Sequence, residues 1–243
     1  MASISSLYPF HLTPGGPSLT RRLISLAAPA APVASALLEG CRYGENVFAA
    51  VEALGCPVIG IEEDSESVFY AKMAAMSVKN TRASFRFMSP VTLDFADGSF
   101  DVVLLEGVLA AYPSGKVLTE ALRVLRPGGT LAIADSCWLA DDVPTFVRDV
   151  WESRSHKILH RDALVALIES AGITGLRIED ASKRLAAFYK QFGEEVRSIV
   201  SGGFEGMKHH KSLVKHYKHE IDVYSRNGGS RWMGYLLVAG RKP

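Results

Sequence analysis

The sequence predicts an α/β fold, a mostly parallel sheet with helices on both faces. Three observations predict it. Short apolar runs alternate with amphipathic helical patterns five times between Val33 and Ala134, the rhythm of strand, crossover helix and parallel strand. The first apolar run ends in Glu39-Gly40-Cys41-Arg42-Tyr43-Gly44, and a helical pattern opens at Glu45. This is the form of a buried strand, a tight turn and a helix N-terminus that faces a ligand. The run from Phe100 to Leu105 (Phe-Asp-Val-Val-Leu-Leu) is nearly all apolar, as expected for a strand covered on both faces. A chain of 243 residues, 48% of them hydrophobic, suits one such domain with additions.

The elements follow in order. Thr13-Pro14-Gly15-Gly16-Pro17 is turn-rich, and Pro17 suits the first position of a helix. Leu19, Leu23, Ile24 and Leu26 among Arg21 and Arg22 predict a short amphipathic helix over Ser18 to Ala28, ended by Pro29 and Pro32. After the first strand and its turn, Val47, Phe48, Val51 and Leu54 recur at helical spacing, with Gly55 as the stop. Cys56 to Ile61 is the second strand. Asp64 or Ser65 caps a helix to about Ser77. Ala83 to Phe87 is the third strand, Asp97-Gly98 a turn, and Phe100 to Leu105 the fourth strand. Val117, Leu118, Leu122 and Leu125 line one face of a helix from Ser114 to Leu125. Arg126-Pro127-Gly128-Gly129 stops it, and Thr130 to Ala134 is the fifth strand. Ligands of such sheets sit beyond the C-terminal strand ends. Those ends here carry Glu39-Gly40, Glu62, Met88-Ser89, Glu106-Gly107 and Asp135-Ser136.

The rest of the chain reads as helices over Val143 to Trp151 and Arg161 to Ala171, a short strand over Gly175 to Ile178, and a longer helix over Ala181 to Val200. A basic, histidine-rich segment from Lys208 to Tyr224 and a last apolar strand over Trp232 to Ala239 complete it. The two late strands are expected to pair at the sheet edge, with the two helices between them as a cover.

Composition narrows the function. A formal net charge of +1 creates no field favouring nucleic acid or an anionic membrane. The cysteines Cys41, Cys56 and Cys137 have no metal spacing and fit a reducing compartment. Met1 to Leu12 lacks the features of a signal peptide, and Leu26 to Leu38 is too short and proline-broken to span a bilayer. A cytoplasmic protein is expected. His209, His210, His216 and His219 are interleaved with Lys208, Lys211, Lys215 and Lys218, whose charge opposes a metal cation. A solvated basic face is the expectation there, and no metal site is assigned. Phe188 and Tyr189 serve either core or pocket, with core packing expected. Cys137 is expected to be a small buried residue. Glu106 is the candidate base or orienting acid; a solvated loop acid is the other reading. Asp135 is expected to be structural.

Two stretches together, Asp97-Gly98-Ser99-Phe100-Asp101-Val102-Val103 and Arg123-Val124-Leu125-Arg126-Pro127-Gly128-Gly129, resemble the class I S-adenosylmethionine-dependent methyltransferases, in their small-molecule, methyltransferase-domain-11-like branch. Val58-Ile59-Gly60-Ile61-Glu62 is similar to that family's second strand, whose terminal acid meets the ribose hydroxyls. The resemblance covers about Val33 to Ala134. It implies a Rossmann-like, seven-stranded, mostly parallel sheet in which the Gly175 and Trp232 strands form an antiparallel edge. It also implies S-adenosylmethionine as cofactor, S-adenosylhomocysteine as product, and a small-molecule methyl acceptor. The cofactor contacts it implies are Glu39, Gly40, Cys41, Gly44, Glu62, Ser89 and Glu106.

Three departures stand out. Gly40 and Gly44 match the first and third glycines of the family's first loop, but Arg42 occupies the middle one. Leu38 stands where the family has an acid, and Glu39 follows it. Ser89 aligns with the acid that meets the adenine amino group. Arg42 therefore has two readings, a steric block or a guanidinium offered to an acidic group of cofactor or substrate.

The chain is expected to be one domain over 1–243, with a lead-in helix over 1–32, a core over 33–180, a helical lid over 181–230 and the last strand over 231–243. The expected activity is direct methyl displacement onto an unidentified small molecule. The alternative is a non-catalytic binding or partner protein that keeps the fold without the cofactor site. RNA methylation is disfavoured because no aromatic and basic platform accompanies the lysines.

Overall fold

A computed structural model describes residues 14–30, 32–152, 157–201 and 211–243. His209, His210, Lys208 and the Ser-Gly-Gly break after the long helix fall wholly or partly outside them.

Among the described residues seven strands form one sheet: β1 (Ala36–Glu39), β2 (Val58–Glu62), β3 (Ala83–Phe87), β4 (Phe100–Glu106), β5 (Leu125–Trp138), β6 (Thr174–Asp180) and β7 (Met233–Arg241), in the order β3-β2-β1-β4-β5-β7-β6. The pairs from β3 through β5 are parallel, and β7 runs antiparallel to both β5 and β6. The expected Rossmann-like sheet is present. Its antiparallel strand lies second from the edge, with β6 outside it. β1 lies inside the sheet between β2 and β4, every residue buried; the chain runs outward from it through β2 to β3 and then crosses back to β4 on its other side. That reversal is the switch point where a ligand cleft opens.

Among the described residues eight α-helices flank the sheet: α1 (Gly16–Ala27), α2 (Glu45–Leu54), α3 (Ser65–Ser77), α4 (Ser114–Val124), α5 (Thr145–Glu152), α6 (Arg161–Ser170), α7 (Ser182–Ser201) and α8 (Lys211–Ser225). One face packs Leu19 and Leu23 of α1, Val47 and Val51 of α2 and Val68 of α3 together with Leu185 and Phe192 of α7. The other packs Val117 and Leu118 of α4 with Leu164 and Ile168 of α6. Each face buries the apolar stripe of its helices, the main stabilising term of such a layered domain.

Local chemistry explains most boundaries. Asp64 caps α3 by accepting the Ser67 N–H at 2.9 Å. Gly55 ends α2 at φ 69°. The fifth strand departs from expectation. It starts at Leu125, which pairs with Phe100 of β4, and the Pro-Gly-Gly segment pairs with the C-terminus: Gly128 N–H donates to the Lys242 carbonyl at 2.9 Å and Lys242 N–H to that of Gly129 at 3.0 Å. It continues to Trp138, because β7 pairs with it without a break from Thr130↔Arg241 to Trp138↔Met233. Asp135 therefore lies inside β5, yet one residue past the end of its pairing with β4.

The helices between β6 and β7 form the expected cover, held by a buried polar chain. The Trp151 indole donates to the Tyr189 hydroxyl at 2.9 Å, which donates to Glu220 at 2.8 Å, and the Tyr189 ring stacks on Tyr224 at 4.0 Å. Tyr189 is core, as expected; Phe188 packs against the same core, stacked on Phe192 at 5.5 Å, and also borders a cavity. His216 lies 3.7 Å from Glu220. No helix among the described residues is long and apolar enough to cross a membrane.

Candidate functional site

The C-terminal ends of β1, β2, β3 and β4 converge on the turn between β1 and α2. Gly40 starts the turn at φ 80°, and a β-carbon there would stand 2.3 Å from the Glu106 carbonyl oxygen. Gly44 caps α2 at φ 92°; a β-carbon there would meet the Phe85 ring at 2.7 Å. Between them Arg42 holds φ 43°, the left-handed region that costs an L-residue roughly 1–2 kcal/mol. The sequence puts arginine where the family has glycine, and the backbone keeps the glycine conformation. Arg42→Gly is therefore expected to raise stability by about 1 kcal/mol, or about 3 °C in Tm, read by thermal unfolding. An unchanged or lower Tm would show that the turn relaxes around arginine.

Glu62 anchors this turn. Its Oε2 accepts the Arg42 N–H and its Oε1 the Glu63 N–H, both at 3.0 Å. A carboxylate has about four lone-pair sites, so it retains acceptor capacity toward the cleft. Ser89 donates to Glu63 Oε2 at 3.2 Å, and the Tyr112 hydroxyl also hydrogen-bonds Glu63, which together with burial raises the Tyr112 pKa. Glu63 and Tyr112 were not singled out from sequence. The acid run Glu62-Glu63-Asp64 was visible, but nothing local says which acid turns to Ser89.

Glu106 sits 7% exposed at the end of β4. The Thr20 hydroxyl of α1 donates to its Oε1 at 2.7 Å, and the Asn46 amide of α2 to its Oε2. Burial pushes its pKa up to about 7, opposed by those two donors. Asp135 is fully buried and accepts backbone N–H groups of Leu109 (2.7 Å), Ser136 (2.8 Å) and Ala110, while burial pushes its pKa up to about 7. It thus holds the loop after β4, the structural role expected.

Glu39 is fully buried, and neither carboxylate oxygen has a hydrogen-bond partner among the described residues. In register it lies beside Ile61 and Leu105, both in the core under α4 and α6. Burial, reinforced by Glu120 of α4, raises its pKa well above the ordinary carboxylate value. Side chains alternate along a strand, so moving the acid one residue past Leu38 sends it to the opposite face. Cys41, Cys56 and Cys137 are free and buried; burial pushes Cys41 up and Cys137 to about 12, leaving both as inert thiols at neutral pH.

A cavity of about 410 Å³ opens beside the turn, between the start of α1, residues 41–46 and α7. Arg42, Asn46, Arg184 and Phe188 border it. α1 and α7 thus both border the cavity at this end of the sheet.

The strand-end geometry fits a nucleoside-type cofactor: a strand-end acid with spare acceptor sites, an adjacent carboxylate-hydroxyl pair, and a tight turn feeding a helix N-terminus. Residues 38–184 match the model of a family described as "Methyltransferase domain". The chain is 32% identical over 151 residues to the methyltransferase GfsG of Streptomyces halstedii, covering 60% of this chain and 54% of that protein. It is 27% identical over 217 residues to the 27-O-demethylrifamycin SV methyltransferase of Amycolatopsis mediterranei (strain S699), covering 84% and 75%. The match thus spans about half the length of GfsG. The fold superposes on phosphoethanolamine N-methyltransferase 2 of Haemonchus contortus in complex with S-adenosyl-L-methionine with a TM-score of 0.80, at 15% identity over 99% of this chain and 57% of that one.

Proposed function

Because this chain belongs to the class I S-adenosylmethionine-dependent methyltransferase family, we propose that it binds S-adenosylmethionine at the C-terminal strand ends and methylates a small molecule. The observation that supports this most is Glu62, a carboxylate fixed by two backbone amides at the end of β2 with acceptor sites left for ribose hydroxyls. Glu63, drawn to Ser89, places a carboxylate beside the position where the family carries its adenine-binding acid. Gly40, Cys41 and Gly44 supply the backbone against which the methionine part lies. Glu39 is assigned no cofactor contact, since its side chain belongs to the α4 face.

When bound, the cofactor supplies a sulfonium methyl group that an acceptor nucleophile takes by direct displacement, leaving S-adenosylhomocysteine. The chain's part is to align the two and exclude water. Glu106 ties α1 and α2 to the end of β4, so that α1 stays closed over the cleft; with both oxygens engaged, it serves as a positioning residue rather than a base. α1 and α7 wall off the acceptor's side of the cleft, and Phe188 offers it an apolar surface. One domain over 1–243, with the 181–230 segment as lid, is part of this proposal.

Titration calorimetry tests the reading. S-adenosylhomocysteine is expected to bind with measurable heat and raise Tm, and Glu62→Ala to weaken it by roughly 10- to 100-fold, about 1.5–3 kcal/mol for a hydrogen bond to a charged group. No heat and no thermal shift with millimolar S-adenosylmethionine or S-adenosylhomocysteine would end it in favour of a fold that has lost its cofactor.

A further inference from the structure

We propose that the cavity between α1, the 41–46 turn and α7 is a carboxylate-binding subsite built by Arg42 and Arg184. This rests on the methyltransferase reading for its place in the reaction, but not for its chemistry. Both arginines border the cavity. Neither has a carboxylate within ion-pair distance among the described residues, whereas Arg21, Arg22 and Arg123 are paired with Glu52, Glu179 and Asp97. Two unpaired guanidiniums at one cavity match the planar, bidentate geometry of a carboxylate. Arg42 is moreover held in a left-handed conformation that glycine would adopt without strain; a residue that occupies an unfavourable backbone site is held there by what its side chain does or by its surroundings.

The rest of the wall agrees. Gly15 precedes α1 as a cap without a side-chain hydrogen bond, and the first turn holds no acidic residue, so the N-terminal amides of α1 add positive potential. Glu45 is the one acid bordering the cavity among the described residues, against the two arginines. Phe188 gives the opposite side an apolar surface. The ligand expected is therefore a carboxylate on a small organic skeleton. It is either the methionine carboxylate of the cofactor or an acidic group of the methyl acceptor.

The experiment compares the full chain with Arg42→Met and Arg184→Met, which keep the length of the side chain and remove its charge. Each is titrated with S-adenosylhomocysteine, with 5′-methylthioadenosine (which lacks the carboxylate), and with benzoate and benzamide. If the carboxylate is the cofactor's own, both variants weaken S-adenosylhomocysteine at least tenfold and leave 5′-methylthioadenosine unchanged. If it is the acceptor's, both nucleosides bind all three proteins alike, benzoate binds the S-adenosylhomocysteine-loaded wild type, and either variant abolishes that binding while benzamide binds none of them. Should the wild type bind neither nucleoside, the methyltransferase reading fails, and the benzoate and benzamide titrations of the unloaded protein still decide the subsite. The proposal is overturned if no carboxylate affinity depends on either arginine, or if benzamide binds as well as benzoate. Circular dichroism melts of both variants confirm that they fold.

Discussion

Glu39→Leu is expected to stabilise the protein by about 3 kcal/mol at pH 8, roughly 5–10 °C in Tm, the scale of an unpartnered buried polar group removed from a core. Glu39 is fully buried, its oxygens have no partner among the described residues, and its register neighbours are Ile61 and Leu105. Leucine has nearly the same volume and belongs in that setting. The gain depends on pH in a fixed direction. Burial raises the carboxyl pKa in the fold, so the folded state binds the proton more tightly than the unfolded one. The stability this confers is complete below the unfolded pKa near 4.5 and is lost as pH rises through the folded value. Glu106 and Asp135, both pushed up to about 7, act in the same sense between about pH 4 and pH 7. Asp64 and Asp101, held low by hydrogen bonds from backbone and side chains despite some desolvation, lose their contribution only at more acid pH. Wild-type stability should therefore peak near pH 5 and decline toward pH 8. Urea unfolding at both values reads this directly: Glu39→Leu should narrow the gap while the cofactor titration stays unchanged. A variant no more stable than wild type at pH 8 would show that Glu39 has a partner in solution.

Gly40→Ala and Gly107→Ala are expected to fail in different ways. Both glycines have positive φ, 80° and 71°. At Gly40 the added carbon meets the Glu106 carbonyl oxygen at 2.3 Å, where the backbones of β1 and β4 lie against each other. Neither backbone can move without disturbing the centre of the sheet, so a loss of about 3 kcal/mol or more is expected from overpacking and backbone strain together. At Gly107 no atom lies within 4 Å of the added carbon, leaving only the conformational penalty of roughly 1–2 kcal/mol. That open space adjoins the strand ends assigned to the cofactor. Gly107→Ala should therefore keep the fold and weaken S-adenosylhomocysteine about tenfold, about 1.4 kcal/mol. Thermal unfolding and calorimetry on the two variants separate the effects. Equal melting temperatures, or full affinity in the Gly107 variant, would contradict the assignment.

Much of this molecule was legible in order along the chain. Strand and helix identities follow from local periodicity, and the switch point follows from alternation, because parallel strands need crossovers. Glu62 was legible as the acid that ends β2, the position proposed to meet the ribose. The long β5 was not. Its extension past Ala134 depends on β7, more than 90 residues away, and its start at Leu125 on Phe100 of β4; pairing between separate segments leaves no local trace. The two acids at the ends of β1 and β4 show the same division. Their presence is written in the sequence, but their roles are not. A one-residue offset sends Glu39 to the α4 face, and the packing of α1 and α2 brings Thr20 and Asn46 onto Glu106.

The sequence by itself determined the fold class, the family and the turn with Arg42 in a glycine's place, because periodicity and short-range spacing suffice for these. Only the tertiary structure decided what the charged groups face: Glu39 the apolar core, Glu63 its serine, Arg42 and Arg184 a shared cavity. Partners of a buried or cavity-lining charge come from distant segments, and in a low-dielectric setting those partners fix its role.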